Sequence, residues 1–172
     1  MKKRGFGKGL WNGVGGKFSC KEGDRTIADT ARRENLQEIN IETEKLEKVA
    51  IIDFFFPKQN RFRGWNQQAH VYLIRKWSGK PKETDEVEPR LFKFKEVPYQ
   101  QMWDDDIIWL PVVLAGKKIR ATCRFDKNKE TKEFQMRIVS KLEWIANDPP
   151  AGSFLFGASQ SPLMDIPKSL SG

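Results

Sequence analysis

At 172 residues the chain is long enough for one domain with a real core. Its 31 Lys and Arg outnumber 23 Asp and Glu, giving a formal charge of +8 that suits an anionic partner: a nucleotide, a nucleic acid or an acidic membrane surface. Two cysteines without CxxC spacing, Cys20 and Cys123, exclude a disulfide framework and a cysteine zinc site. No apolar run approaches the roughly 20 residues of a membrane span.

The expected elements follow in chain order. Residues 1–25 carry seven glycines and read as loop. Its start, Met1-Lys2-Lys3-Arg4, lacks the apolar core of a signal peptide, and the two lone cysteines point to a reducing compartment, so a cytoplasmic location is expected. Residues 26–41 read as a helix, with Thr26 as N-cap and Asp29 completing a capping box. Ile27, Ala28, Ala31 and Ile39 form its apolar stripe, interrupted by Asn35. Lys48–Phe56 is a buried strand stopped by Pro57, and 58–67 a basic loop. Ala69–Ile74 is a second strand and Ser78–Pro81 a turn. After the acidic run Glu83–Glu88, Arg90–Phe94 reads as a strand. Pro98–Leu114 reads as a loop and short helix. Ile119–Phe125 and Glu133–Val139 read as a hairpin around Asp126–Lys129. From about Asn147 the composition turns to Pro, Ser and Gly, so a disordered tail is expected. The partition is a domain at 1–140 and an extension at 141–172. One helix among several strands implies a mixed sheet in an α/β or α+β domain.

Chemistry concentrates at the glycine turn Trp11-Asn12-Gly13-Val14-Gly15-Gly16-Lys17 and the helix after it, Ala31-Arg32-Arg33-Glu34, with Glu38 one turn on. Glu34 and Glu38 are four residues apart and share a helix face. Carboxylate oxygens are the hard donors Mg²⁺ prefers, and Arg33 can brace one of them or meet phosphate. Spacing alone favours the other reading, a solvated face laced with Arg–Glu pairs. The turn is neither a Walker loop, since Phe18 follows Lys17, nor a dinucleotide fingerprint, which fails at its third glycine.

The chain resembles the Nudix hydrolases, in particular their branch acting on oxidised purine nucleoside triphosphates. The family box is a glycine, five residues, a glutamate, seven residues, then Arg-Glu-apolar-x-Glu-Glu-x-Gly-apolar. Met1–Lys17 is similar to the approach to that box and Thr26–Glu34 to its helix. The likeness continues through Ser78-Gly79, Thr84-Asp85-Glu86, Pro98-Tyr99, Met102-Trp103, Asp105-Asp106, Trp109 and Leu110-Pro111. It implies the Nudix fold, with a mixed sheet between helices. It implies Mg²⁺-dependent hydrolysis of 8-oxo-dGTP-type substrates to monophosphate and pyrophosphate, a nucleotide-pool sanitation that avoids DNA damage. By the same likeness Glu34, Glu38 and Glu86 with the Gly15 backbone hold the metal, and Arg33 braces the box. Asn12, Asp105 and Asp106 read the purine, Trp103, Phe6 and Phe54 line its pocket, and Lys2 contacts substrate. A monomer without membrane contact is expected.

Departures from the pattern bear on activity. The family's first strand, which precedes the equivalent of Met1, has no counterpart. A short insertion before Thr26 leaves either Glu22 or Asp24 to stand for the box's first glutamate. Within the box Gln37 replaces a glutamate, and Asn35 stands where an apolar residue is expected, costing about 1–3 kcal/mol if its amide is unpaired. Treating Asn35 as an insertion would restore Leu36 to the apolar position and take Glu38 off the metal. The alternative function these changes imply is an impaired domain that binds nucleotide or RNA without hydrolysing it.

Overall fold

A computed structural model describes residues 1–5, 7–58 and 65–142, and the backbone of residues 151–157. Phe6, most of the basic loop and most of the tail therefore lie outside the described residues. The elements are β1 (Val14–Lys17), α1 (Ile27–Ile39), β2 (Glu42–Phe55), β3 (Gln67–Ser78), α2 (Asp106–Leu114), β4 (Lys118–Phe125), β5 (Thr131–Val139) and β6 (Ala151–Gly157). They build one mixed six-stranded sheet in the order β1-β6-β3-β2-β4-β5.

The two central strands read as continuous apolar runs because both of their faces are covered. Val49 to Ile52 on β2 and Val71 to Ile74 on β3 are all buried. Successive residues point to opposite faces. Val71 and Leu73 pack with Trp109, Leu110 and Val113 of α2. Tyr72 packs with Ala31, and Ile74 with Ile39, both of α1. The two helices thus cover opposite faces of the sheet. Both strands run longer than their apolar cores predict. Charged Glu42–Lys45 pairs with the outer end of β3, where exposure erases the hydrophobic signal. No helix among the described residues is long and apolar enough to cross a membrane.

Helix α1 starts as its sequence dictates. Thr26 Oγ1 accepts the Asp29 N–H at 3.2 Å and Asp29 returns a bond to the Thr26 N–H at 2.9 Å. It ends at Asn40, whose left-handed φ of 59° fills the place a glycine takes in the family box. The hairpin β4–β5 forms as expected.

Two expectations are corrected. Residues 90–93 form no strand, and Phe94–Glu96 is a single 3₁₀ turn. Pro89 precedes the segment, which among the described residues pairs with no strand. Its alternation is met instead by one anchor, Phe92 edge-on to Trp11 at 5.0 Å, while Leu91 stays 68% exposed. At the other end, residues 151–157, which composition assigns to a disordered tail, form β6. β6 pairs antiparallel with β1 and parallel with β3, so the sheet has no gap at that position.

Candidate metal and nucleotide site

Arg33 organises the first half of the site. Its guanidinium grips Asp24 through two bonds, Nε to Oδ1 at 3.0 Å and Nη2 to Oδ2 at 2.9 Å. It also reaches Glu34 Oε1 at 2.8 Å and the Lys17 carbonyl at 3.2 Å, tying helix α1 to the end of β1. Asp24 further accepts the Ser19 N–H and the Thr30 hydroxyl. The Arg33 bonds outweigh burial and hold the Asp24 carboxyl down at about 2, while the Arg33 pKa rises. Of the two candidates for the box's first acid, Asp24 is therefore the buried clamp. Glu22 is an exposed partner of Arg33 at 3.2 Å.

Burial along the helix supports the ungapped register of the box. Asn35 is fully buried and Leu36 is 50% exposed, so Asn35 occupies the core-facing position and no insertion is needed. Asn35 Nδ2 donates to Thr43 Oγ1 at 3.0 Å, which satisfies part of the amide. Gln37 is exposed, and its Oε1 accepts from Arg33 at 3.1 Å, so the substituted glutamate position faces the brace. Glu38 turns inward and is 5% exposed.

The acidic cluster lies where the glycine turn meets the helix. A β-carbon on Gly16 would come within 2.0 Å of Glu34 Oε1, so only glycine permits this approach of β1 to the carboxylate. Gly15 precedes it on the same strand. Lys2 Nζ sits 2.6 Å from Glu38 Oε1. Burial raises the Glu38 pKa, Lys2 opposes that shift, and the negative charges of Glu34 and Glu86 add to it. Glu86 is paired with Arg4, which lowers its pKa, and the neighbouring Glu38 carboxyl acts on it too. Among the described residues, no three acidic, imidazole or thiol side chains already form a metal cage. The donor set nevertheless fits a hard divalent cation. Glu38 Oε2 is buried without a hydrogen-bond partner, and the carboxylates of Glu34 and Glu86 are near enough to act on it electrostatically.

The second half of the site is an apolar pocket with two buried acids. Phe54, Phe56, Trp103 and Phe125 wall it, with Asn12, Asp105 and Asp106 at its lining. Phe56 and Phe125 stack at 4.7 Å between ring centroids, and Trp103 lies 5.7 Å from Phe125. Asp105 accepts the Trp109 indole N–H at 3.0 Å and Asp106 accepts the Trp103 backbone N–H at 3.1 Å. Burial raises both carboxyls. Asp105 reaches about 6, and Asp106 also rises well above the ordinary carboxylate range, burial being the larger cause and the Asp105 charge adding to it. Two adjacent carboxyls raised in this way can share one proton, so that one donates while its neighbour accepts. Asn12 Oδ1 accepts the Gly13 N–H at 2.8 Å, fixing the entry to the glycine turn. A larger apolar cavity of about 390 Å³ lies beneath residues 87–98 but contains none of these five carboxylates.

The sequence reading omitted Phe56, Phe125 and Gly16. Phe56 and Phe125 read as strand-core residues, and only the pairing of β2 with β4 brings their ends together. Lys2, expected at the substrate, is found on Glu38. Phe6 lies outside the described residues.

The sequence profile of the NUDIX domain matches residues 1–112. The chain is 36% identical over 142 residues to the oxidized purine nucleoside triphosphate hydrolase of Danio rerio, covering 83% of this chain and 86% of that protein. The Mus musculus protein of the same name is 35% identical with the same coverage. A MutT protein from Bacillus halodurans superposes with a TM-score of 0.64 over 78% of this chain and 86% of that one, at 18% identity, and shares the fold. With its braced Arg-Glu helix, its glycine turn and relatives this similar over most of its length, the chain belongs to the Nudix hydrolase family.

Proposed function

We propose that this Nudix pyrophosphohydrolase acts on oxidised purine nucleoside triphosphates of the 8-oxo-dGTP type with Mg²⁺ as its cation. The observation that carries this reading is the continuity of the two half-sites. Residues 12–17 run from the aromatic pocket, which Asn12 lines together with Asp105 and Asp106, directly to Gly16 against Glu34. One nucleotide laid along that segment would place its base between aromatic walls and its phosphates at the carboxylates.

The chain's own residues have distinct tasks. The Asp105–Asp106 pair offers one donor and one acceptor to the base edge, a pattern that discriminates oxidised from ordinary purine by leaving a buried carboxyl unpaired with the wrong one. Trp103 and the Phe54–Phe125 side supply apolar surface for the ring. Arg33 fixes Glu34, and Lys2 holds an ammonium at the carboxylate end, where phosphate arrives. Glu34, Glu38 and Glu86 with the Gly15 backbone would hold the Mg²⁺, which supplies Lewis acidity at a phosphoryl oxygen. The substitution at Gln37 weighs little against this, because that side chain is exposed on the Arg33 side of the helix. This favours the hydrolytic reading over a domain that only binds nucleotide or RNA. Two free cysteines, Cys20 exposed and Cys123 buried, support a reducing cytoplasmic setting, and we assign action as a monomer.

The test is release of monophosphate and pyrophosphate across a panel of 8-oxo-dGTP, 2-hydroxy-dATP, O6-methyl-dGTP and dGTP, with and without Mg²⁺. An oxidised purine should be preferred, and Glu38→Gln should lower turnover at least about tenfold with the fold intact. Equal turnover of dGTP, or full activity of that variant, would sink the assignment.

A further inference from the structure

We propose that the C-terminal strand β6, supplied by the same chain, is a working part of the site: it is the element that holds the Gly15–Gly16 turn against Glu34. Among the described residues β1 pairs with β6 and with no other strand, through Val14↔Leu155, Gly15↔Phe154, Gly16↔Ser153 and Lys17↔Gly152. On its other side β6 pairs with β3 along Gln68–Ile74. Without β6 the edge of β1 would stand two strand spacings, about 10 Å, from β3, too far for any ladder hydrogen bond. Arg33 at the Lys17 carbonyl and the packing of α1 add to the hold that β6 exerts, and Gly15 and Gly16 have no side chains of their own to pack. Helix α1, which carries Glu34 and Glu38, packs over both β1 and β6. The catalytic domain therefore extends from the N-terminal segment through Gly157.

Supply from the same chain is sterically open. β5 and β6 lie four positions apart in the sheet, about 19 Å. Following the register through Gln68, Asp53, Thr122 and Gln135, Ala151 lies level with Gln135, four residues from the end of β5 at Val139. That adds about 13 Å along the strands, so the straight separation is about 23 Å. The eleven residues 140–150 can reach about 40 Å when extended, which leaves slack to pass over a face of the sheet.

The experiment has two arms. First, Val14→Cys with Leu155→Cys in a Cys20→Ser background places a cysteine pair on directly opposed residues, whose spacing suits a disulfide. Mild oxidation should give a cross-linked monomer. A cross-linked dimer would overturn supply in cis, and no cross-link would overturn the pairing. Second, Phe154→Pro removes a backbone donor from the middle of β6 in the full chain. Amide exchange at whichever of Gly15 and Gly16 donates into the β1–β6 ladder should accelerate at least about tenfold while β4 and β5 stay protected. Mn²⁺ affinity should fall about tenfold or more. Unchanged exchange at the two glycines would overturn the proposal. If the proline variant does not fold, the oxidised and reduced forms of the cysteine pair give the same comparison, oxidation being expected to slow exchange at that same glycine amide. The Mn²⁺ measurement rests on the metal assignment above. A wild-type chain that binds no Mn²⁺ refutes that assignment, whereas cross-linking and exchange judge β6 independently.

Discussion

Gly16 lies so close to Glu34 that a β-carbon would fall 2.0 Å from Oε1 and 2.3 Å from the carboxyl carbon. The obstructing group is the far end of a flexible side chain, so Gly16→Ala is expected to fold. It would relieve the clash by swinging the Glu34 carboxylate out of place. Turnover should fall about a hundredfold, since displacements near an ångström at a reacting centre have that effect. The melting temperature should move by only a few degrees. A folded Gly16→Ala protein with unaltered kcat would show that Glu34 need not stand where β1 holds it.

Much of this half of the site was legible in the sequence because it is local. The capping box Thr26–Asp29, the Arg33-Glu34-Glu38 spacing and the glycine turn all lie within one stretch, and helical geometry fixes their relative positions. Asp24 could not be separated from Glu22 beforehand, because the choice depends on which carboxylate the 3₁₀ turn at Cys20–Glu22 directs inward. Long-range features were least visible. The Phe56–Phe125 wall depends on β2 pairing with β4, and β6 depends on a strand edge contributed by β1 and β3. A segment such as Ala-Gly-Ser-Phe-Leu-Phe-Gly, set among Pro, Ser and Gly, carries little strand signal of its own.

Asp24 supplies an acid-sensitive contribution to stability. Its folded pKa, at about 2, lies below the ordinary carboxylate value of 3.8. The stabilisation is therefore fully present above about pH 4 and is lost as pH falls toward 2. Asp24→Asn breaks the grip on Arg33 and should cost on the order of 3 kcal/mol at pH 7. Urea midpoints followed from pH 7 to pH 2 should show wild type and variant converging at the acid end. A constant gap across that range would refute the linkage.

Lys2 opposes the burial of Glu38, so Lys2→Met should raise the Glu38 pKa further. A larger share of Glu38 is then protonated at mildly acid pH, where a cation must displace the proton. At alkaline pH the carboxylate is ionised and no ammonium competes for it. Mn²⁺ binding should therefore depend more steeply on pH in the variant, weaker than wild type near pH 6 and at least as tight near pH 8. Parallel titrations would separate Lys2 from the cation site and return it to the phosphates.

The two buried acids of the base pocket predict an asymmetric pair of variants. Both carboxyls are raised, and at Asp106 the Asp105 charge adds to burial, so Asp106 is assigned the donor role and Asp105 the acceptor role. Asp106→Asn keeps a donor there and keeps an oxygen for the Trp103 N–H, so its loss in kcat/KM should be modest. Asp105→Asn replaces an acceptor and should raise KM at least about tenfold with a smaller change in kcat. Stability changes in the opposite sense to Asp24. A raised folded pKa contributes stability at low pH that is lost as pH rises through it, so both variants should gain on wild type as pH rises from 5 to 8. Thermal melts at pH 5 and pH 8 test that sign.

Asn35 is the clearest departure of the box that the fold tolerates at a cost. It is fully buried, its Nδ2 is satisfied by Thr43 and its Oδ1 has no hydrogen-bond partner. The helix stripe around it is apolar, with Ala31 and Ile39 on the same side. Replacing the amide alone would leave Thr43 Oγ1 without its donor, so the informative change is double, Asn35→Leu with Thr43→Val. Removing both polar partners in favour of apolar groups of similar size should stabilise the chain by about 1–3 kcal/mol. The Asn35 side chain bonds Thr43 rather than Glu34 or Glu38, and neither residue lines the aromatic pocket, so kcat/KM should stay within about twofold of wild type. Chemical denaturation measures the first quantity and the nucleotide panel the second. A stabilised protein with lost activity would mean that Asn35 positions Glu38, one turn further along the same helix, through its buried amide.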